Sequence, residues 1–133
     1  ISAMRYADYG LNMYGNGYIT SDKMIAERPD AVAAFVQGAA KGLRDTYQDV
    51  PAAVETVRRY APEVDAEVAT RQLELIRDLV ITDTSKSMGI GAFQDAQIEA
   101  TKTVMLRYLG MKTDIAASDV TTMQFTPATP VMP

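Results

Sequence analysis

The residue pattern predicts a mainly α-helical fold with one or two short strands at the N-terminal end. Two observations carry this. From Val32 to Leu109, apolar residues recur at spacings of three and four, the period of helices with one covered face. β-prone residues gather only in positions 1–20, where Ile1, Met4 and Tyr6 lead in and "GYIT" follows at 17–20. The length, 133 residues, is that of a single domain able to bury a core.

The elements follow in order. Glycines at 10, 15 and 17 break the β-prone segment into pieces. Ser21 is placed to cap a short helix over about 22–28. Pro29, with Asp30 beside it, suits the first turn of a helix of about 18 residues. Val32, Phe35, Val36, Ala39, Leu43 and Tyr47 form its apolar stripe, and Gly38 and Gly42 are read as a site of close helix packing. Pro51 opens a helix carrying Val54, Val57 and Tyr60, and "APEVD" at 61–65 breaks it. Asp65 caps a helix with Val68, Leu75, Ile76, Leu79 and Val80 on one face. "TDTSKSMGIG" at 82–91 reads as a loop, because Thr, Ser, Asp and Gly give the backbone turn options and no period. The last helix spans about 92–109, buries Ile98, Met105, Tyr108 and Leu109, and ends at Gly110. Residues 111–133 form an extended, partly mobile tail with prolines at 127, 130 and 133.

This divides a single partial domain over 1–133 into a strand segment (1–20), helices (21–110) and a tail (111–133). A lone strand pair cannot cover its own edges and needs a sheet elsewhere. Together with an opening residue that is Ile1 and not Met, this leads to the expectation of a piece of a longer protein.

Composition narrows the chemistry. A formal net charge of −4 and a pI of about 4.7 argue against a nucleic-acid partner, which needs a basic face. The chain has no cysteine and no histidine, so it lacks thiolate nucleophiles, imidazole bases and the commonest transition-metal ligands. Its acidic residues are spread over helix surfaces and its serines have no histidine to activate them, so no catalytic residue is assigned and the chain is read as a non-enzyme. No metal or cofactor set is read either. "MGIGAFQ" at 88–94 places a G-x-G before a helix, but Gln94 stands where a third glycine would, and the lysine and hydroxyl of a phosphate loop are missing. A glycine hinge is the preferred reading there.

The stretch "ADYGLNMYGNGYIT", Ala7 to Thr20, is unlike the rest. Tyrosine offers a flat ring and a hydroxyl, asparagine offers donor and acceptor, and glycine lets a ligand approach the backbone. The mixture suits a small polar or heteroaromatic ligand, and it also suits a turn-rich connector.

The order of segments resembles the C-terminal part of periplasmic substrate-binding proteins of ABC importers, the group handling thiamine pyrimidine precursors, nitrate, sulfonates and taurine. The likeness runs through "YADYGLNMYGNGYITSDKMIAERPDAVAAFVQGAAKGL", "YQDVPAAVETVRRYAPEVD", "KSMGIGAFQDAQIEATKTVMLRYLGM" and "SDVTTMQFTP", covering about residues 1–127. The resemblance implies part of a two-lobed α/β fold of type II, a hinged cleft, a periplasmic or extracytoplasmic location, a small-molecule ligand and docking on membrane permease subunits. It implies that 1–20 is a hinge-crossing segment, and the ligand positions put forward within that segment are Tyr9, Asn12, Tyr14 and Asn16, with Gly10 and Gly15 allowing close approach. The cysteine-rich motif of pyrimidine-synthesising relatives is absent, which argues for binding over synthesis. Two alternatives stand beside it: a pyrimidine-metabolising enzyme of the same fold, and a helical module that self-associates through exposed strands and apolar helix faces.

Overall fold

The computed structural model describes Met4 and residues 6–133. Six α-helices are assigned among them: α1 (Asp22–Glu27), α2 (Pro29–Gln48), α3 (Val50–Tyr60), α4 (Ala66–Val80), α5 (Asp83–Met88) and α6 (Asp95–Tyr108). The chain forms two compact units. One comprises residues up to Asp22 together with Phe93–Gln124, and the other comprises Lys23–Ala92 with Phe125–Pro133. The 111–133 tail is thereby shared between them.

The larger unit is built by local chemistry. Pro29 opens α2 with its ring-fixed φ, and no donor is lost at that position. Asp49 then serves two helices. Its N–H donates to Asp45 O at 3.2 Å to close α2, and its carboxylate accepts from Ala52 N–H at 3.0 Å to open α3. Asp65 caps α4 in the same way, accepting from Val68 N–H at 2.9 Å. The α3–α4 pair packs on the end of α2 through Tyr47, Val50 and Val54, with Leu43, Ala66, Ala69, Leu73, Val80 and Ile81 around them. Arg77 of α4 lies 5.3 Å from the centroid of the Tyr47 ring, and its Nη1 donates to Tyr47 O at 3.4 Å. Burial pushes the Tyr47 phenol up from its usual range, against the opposing pull of the Arg77 charge.

A second cluster joins Ala40 of α2, Ile90 and Val131, with Leu43 between the two clusters. Ile90 N–H donates to Val131 O at 2.8 Å. The approach demands glycine at 89: its φ is +97°, and a Cβ there would stand 2.9 Å from Pro130 Cβ. The end of the tail is thus packed into a core.

Several expectations need correction. No strand forms among the described residues, and the opening run holds a 3-10 turn at Tyr6–Tyr9. Ile1, Ser2, Ala3 and Arg5 lie outside the described residues. "GYIT" has no regular structure, and Ile19 is 97% exposed. A strand needs a paired neighbour, and none of the described residues supplies one. The 82–91 loop contains α5, made by a reciprocal cap that composition alone hides. Thr82 Oγ1 accepts from Ser85 N–H at 3.1 Å, and Ser85 Oγ accepts from Thr82 N–H at 2.8 Å. Gly38 and Gly42 are not a packing site, since a Cβ at either would meet nothing within 4 Å beyond its own helix.

The faces of three helices also differ from expectation, α2 only at Phe35, which is 58% exposed. On α4, Val68, Leu75, Ile76 and Leu79 are exposed, and only Val80 of the expected set packs inward. The side that packs carries Ala66, Ala69 and Leu73, roughly 130° around the helix at 3.6 residues per turn. Two alanines there let α3 approach closely. On α6, Met105, Tyr108 and Leu109 are exposed, and Ile98 is half-buried. Gly110, with φ +75°, ends that helix as expected.

The face assignment can be checked by substitution. Val54 is 3% exposed, so Val54→Ala is expected to destabilise the chain by about 1.5 kcal/mol or more in urea unfolding. Leu75→Ala, on the uncovered face of α4, is expected to cost no more than about 0.5 kcal/mol in dilute solution.

Candidate functional site

The opening segment and the start of α6 belong to the same unit, and they meet through side chains. The phenol of Tyr14 accepts a hydrogen bond from Gln94 N–H at 3.0 Å. Its ring meets Phe93 edge to face, with centroids 6.4 Å apart and planes at 72°. Two residues earlier, Asn12 Oδ1 accepts from Gln97 Nε2 at 3.3 Å. Gln94 is the residue before α6 and its amide has no partner within the helix, so the Tyr14 oxygen acts as a cap borrowed from a distant segment.

Of the six positions read from sequence, Asn12 and Tyr14 are brought together here. Tyr9 closes the 3-10 turn and is 70% exposed. Gly10 follows it at φ +82°, its N–H donating to Ala7 O at 3.1 Å, so its role is to turn the chain. Gly15 and Asn16 are exposed, and a Cβ at Gly15 would meet nothing within 4 Å. Phe93, Gln94 and Gln97 are not among the site residues read from sequence, where Gln94 enters only as a departure from a glycine motif. The signal available for them was an aromatic and two amides bracketing a helix start.

Among the described residues, the Tyr14 hydroxyl proton, the Asn12 amide N–H groups and the Gln97 carbonyl oxygen enter no further hydrogen bond. None of the contacts that build the cluster is made by a lysine or arginine. The arrangement can therefore offer a neutral, two-sided hydrogen-bonding edge beside an aromatic pair.

Three amides of the glycine loop before α6 are committed elsewhere. Gly89 N–H donates to Ser85 O at 3.0 Å, Ile90 N–H to Val131 O at 2.8 Å, and Ala92 N–H to Gly89 O at 3.3 Å. A phosphate cradle needs such amides free and convergent. Through Ile90 the loop holds the end of the tail.

Further along α6, Lys102 is tied to two carboxylates. Its Nζ lies 2.9 Å from Glu99 Oε2 and 3.0 Å from Asp114 Oδ1, and its side chain is 13% exposed. Hydrogen bonds to Glu99 and then Asp114 push its ammonium up from the usual value of 10.5. Two shallow hollows lie in the other unit, one along Ala66, Glu67, Thr70, Arg71 and Glu74 and one along Glu55, Arg58, Arg59 and Pro62. Neither involves the six expected positions.

Residues 1–53 match the family model described as NMT1/THI5 like. The NMT1/THI5-like match spans the whole opening segment, α1, α2 and the first residues of α3. It agrees with the resemblance to periplasmic substrate-binding proteins of ABC importers and supports a solute-binding role in the broad sense. No curated protein and no solved structure matches the chain. No helix among the described residues is long and apolar enough to cross a membrane.

Two outcomes are expected. Tyr14→Phe keeps the ring contact and removes the oxygen that receives Gln94 N–H, so hydrogen exchange at the Gln94 amide should quicken by the loss of a bond worth about 0.5–1.5 kcal/mol. The raised folded-state value of Lys102 means that its contribution is fully present below 10.5 and is lost as pH rises through the higher folded value. Unfolding stability should therefore fall above about pH 10.5, and Lys102→Gln should flatten that part of the profile.

Proposed function

We propose that the chain is part of a solute-binding component of an ABC-type importer, capturing a small polar or heteroaromatic ligand without chemical turnover. The observation that carries the reading is the junction of Tyr14 and Asn12, which lie within the residues that match the NMT1/THI5-like model, with Phe93, Gln94 and Gln97, which lie beyond them. The ligand positions put forward are Tyr9, Gly10, Asn12, Tyr14, Gly15 and Asn16, with Asn12 and Tyr14 as the anchors. The chain has no thiol or imidazole, which favours binding over pyrimidine chemistry.

The charge of the cluster selects among ligand classes. Nitrate and sulfonates call for cations or convergent amides at their oxygens. The cluster's own contacts are made by neutral amides, a phenol and a phenyl ring. A pyrimidine presents alternating donors and acceptors and a face for stacking, which those groups can meet. Ligand capture would draw two lobes of the whole protein together, and the closed form would dock on permease subunits in an extracytoplasmic setting.

Thermal-shift measurements on the longest form of the protein that contains this sequence test the reading. Pyrimidines should raise stability by about 2.7 kcal/mol when present at a hundred times Kd, and nitrate or sulfonates should do less. Tyr14→Ala should abolish the shift. Absence of stabilisation by every pyrimidine, sulfonate, nitrate and aromatic acid tried would count against solute binding.

A further inference from the structure

The uncovered face of α4 has a pattern of its own. Val68, Gln72, Leu75 and Leu79 follow one another at spacings of four, three and four, the seam of a two-helix coiled coil. The three apolar members are 53%, 74% and 66% exposed. This seam lies away from the Ala66–Ala69–Leu73 side that holds α4 on its own unit, so it is available while the helix stays in place.

We propose that α4 pairs antiparallel with α4 of a second copy of this chain. The seam is complementary to itself in that direction. With the two-fold axis between residues 73 and 74, Val68 faces Leu79 of the partner subunit and Gln72 faces Leu75 of the partner subunit. The same register brings Arg71, on the seam's flank, opposite Asp78 of the partner subunit, and the axis repeats that contact. Both residues are exposed, and neither takes part in an ion pair within the described residues. A parallel pair would set Arg71 against the apolar Ile76 and leave the charges unmatched. The polar Gln72 in the seam lowers stability and fixes register. Four layers bury little surface, so the association is weak and depends on concentration. It stands independently of ligand capture.

Sedimentation equilibrium of the 133-residue chain over a range of concentrations tests the pairing. A monomer–dimer equilibrium is expected, weakened at least about tenfold by Leu75→Glu with helix content unchanged by circular dichroism. Charge exchange tests the register on exposed positions that folding does not need. Arg71→Asp alone and Asp78→Arg alone should each weaken self-association. A mixture of the two variants should form heterodimers in preference to either homodimer, because each chain then supplies the charge that the other lacks. A chain that stays monomeric at every concentration, a dimer indifferent to Leu75→Glu, or a mixture with no preference for the heterodimer would overturn the proposal.

Discussion

Tyr47 holds the larger unit together. Its ring fills the space between the end of α2, the start of α3 and the middle of α4, and Arg77 closes over it while binding its carbonyl. An aromatic ring with a cation on its face tolerates little rotation of the helix that brings the cation. The orientation of α4 follows from this contact and from the small residues Ala66 and Ala69 beside it. So does the outward direction of Leu75 and Leu79, which are 74% and 66% exposed.

The smaller unit uses a different device. Its opening segment contributes no regular pairing, and it is attached by a phenol oxygen on a helix-start amide and an amide–amide contact one turn on. Such contacts exchange readily with a ligand's own donors and acceptors, since each costs about one hydrogen bond to replace. Lys102, in contrast, is spent on Glu99 and Asp114, so the most enclosed ammonium of this unit is a brace for the 111–114 stretch and not a receptor for anions.

What could be read directly from residues was what local chemistry fixes. Pro29, Pro51, Asp65 and Gly110 each mark a helix end by an effect confined to a few neighbours, and each end lies where those effects put it. The helix over Asp83–Met88 escaped because its cap uses Ser85 where a longer acceptor is customary. Helix faces were harder, because α4 has apolar residues on two sides and periodicity cannot say which side another helix will cover. The β-prone run at 17–20 records a preference that needs a pairing partner to be expressed. In the candidate site, the chemistry of Tyr14 and Asn12 could be read from sequence, but their partners could not. Gln94 and Gln97 lie about eighty residues away, and no local pattern links such distant positions.

The contact between Ile90 and Val131 bears on the route by which the chain folds. The Tyr47 cluster is assembled from residues that follow one another closely, so its loops are short and cheap to close. The Ala40–Ile90–Val131 cluster must gather three segments that all lie far apart in the chain, and its glycine must reach a left-handed conformation before Pro130 can come up against it. Contacts of that separation carry a larger loop-closure cost, so they are expected to form after the local ones. Leu43 touches both clusters, and folding in the larger unit would pass through it from the early, local half to the late, long-range one.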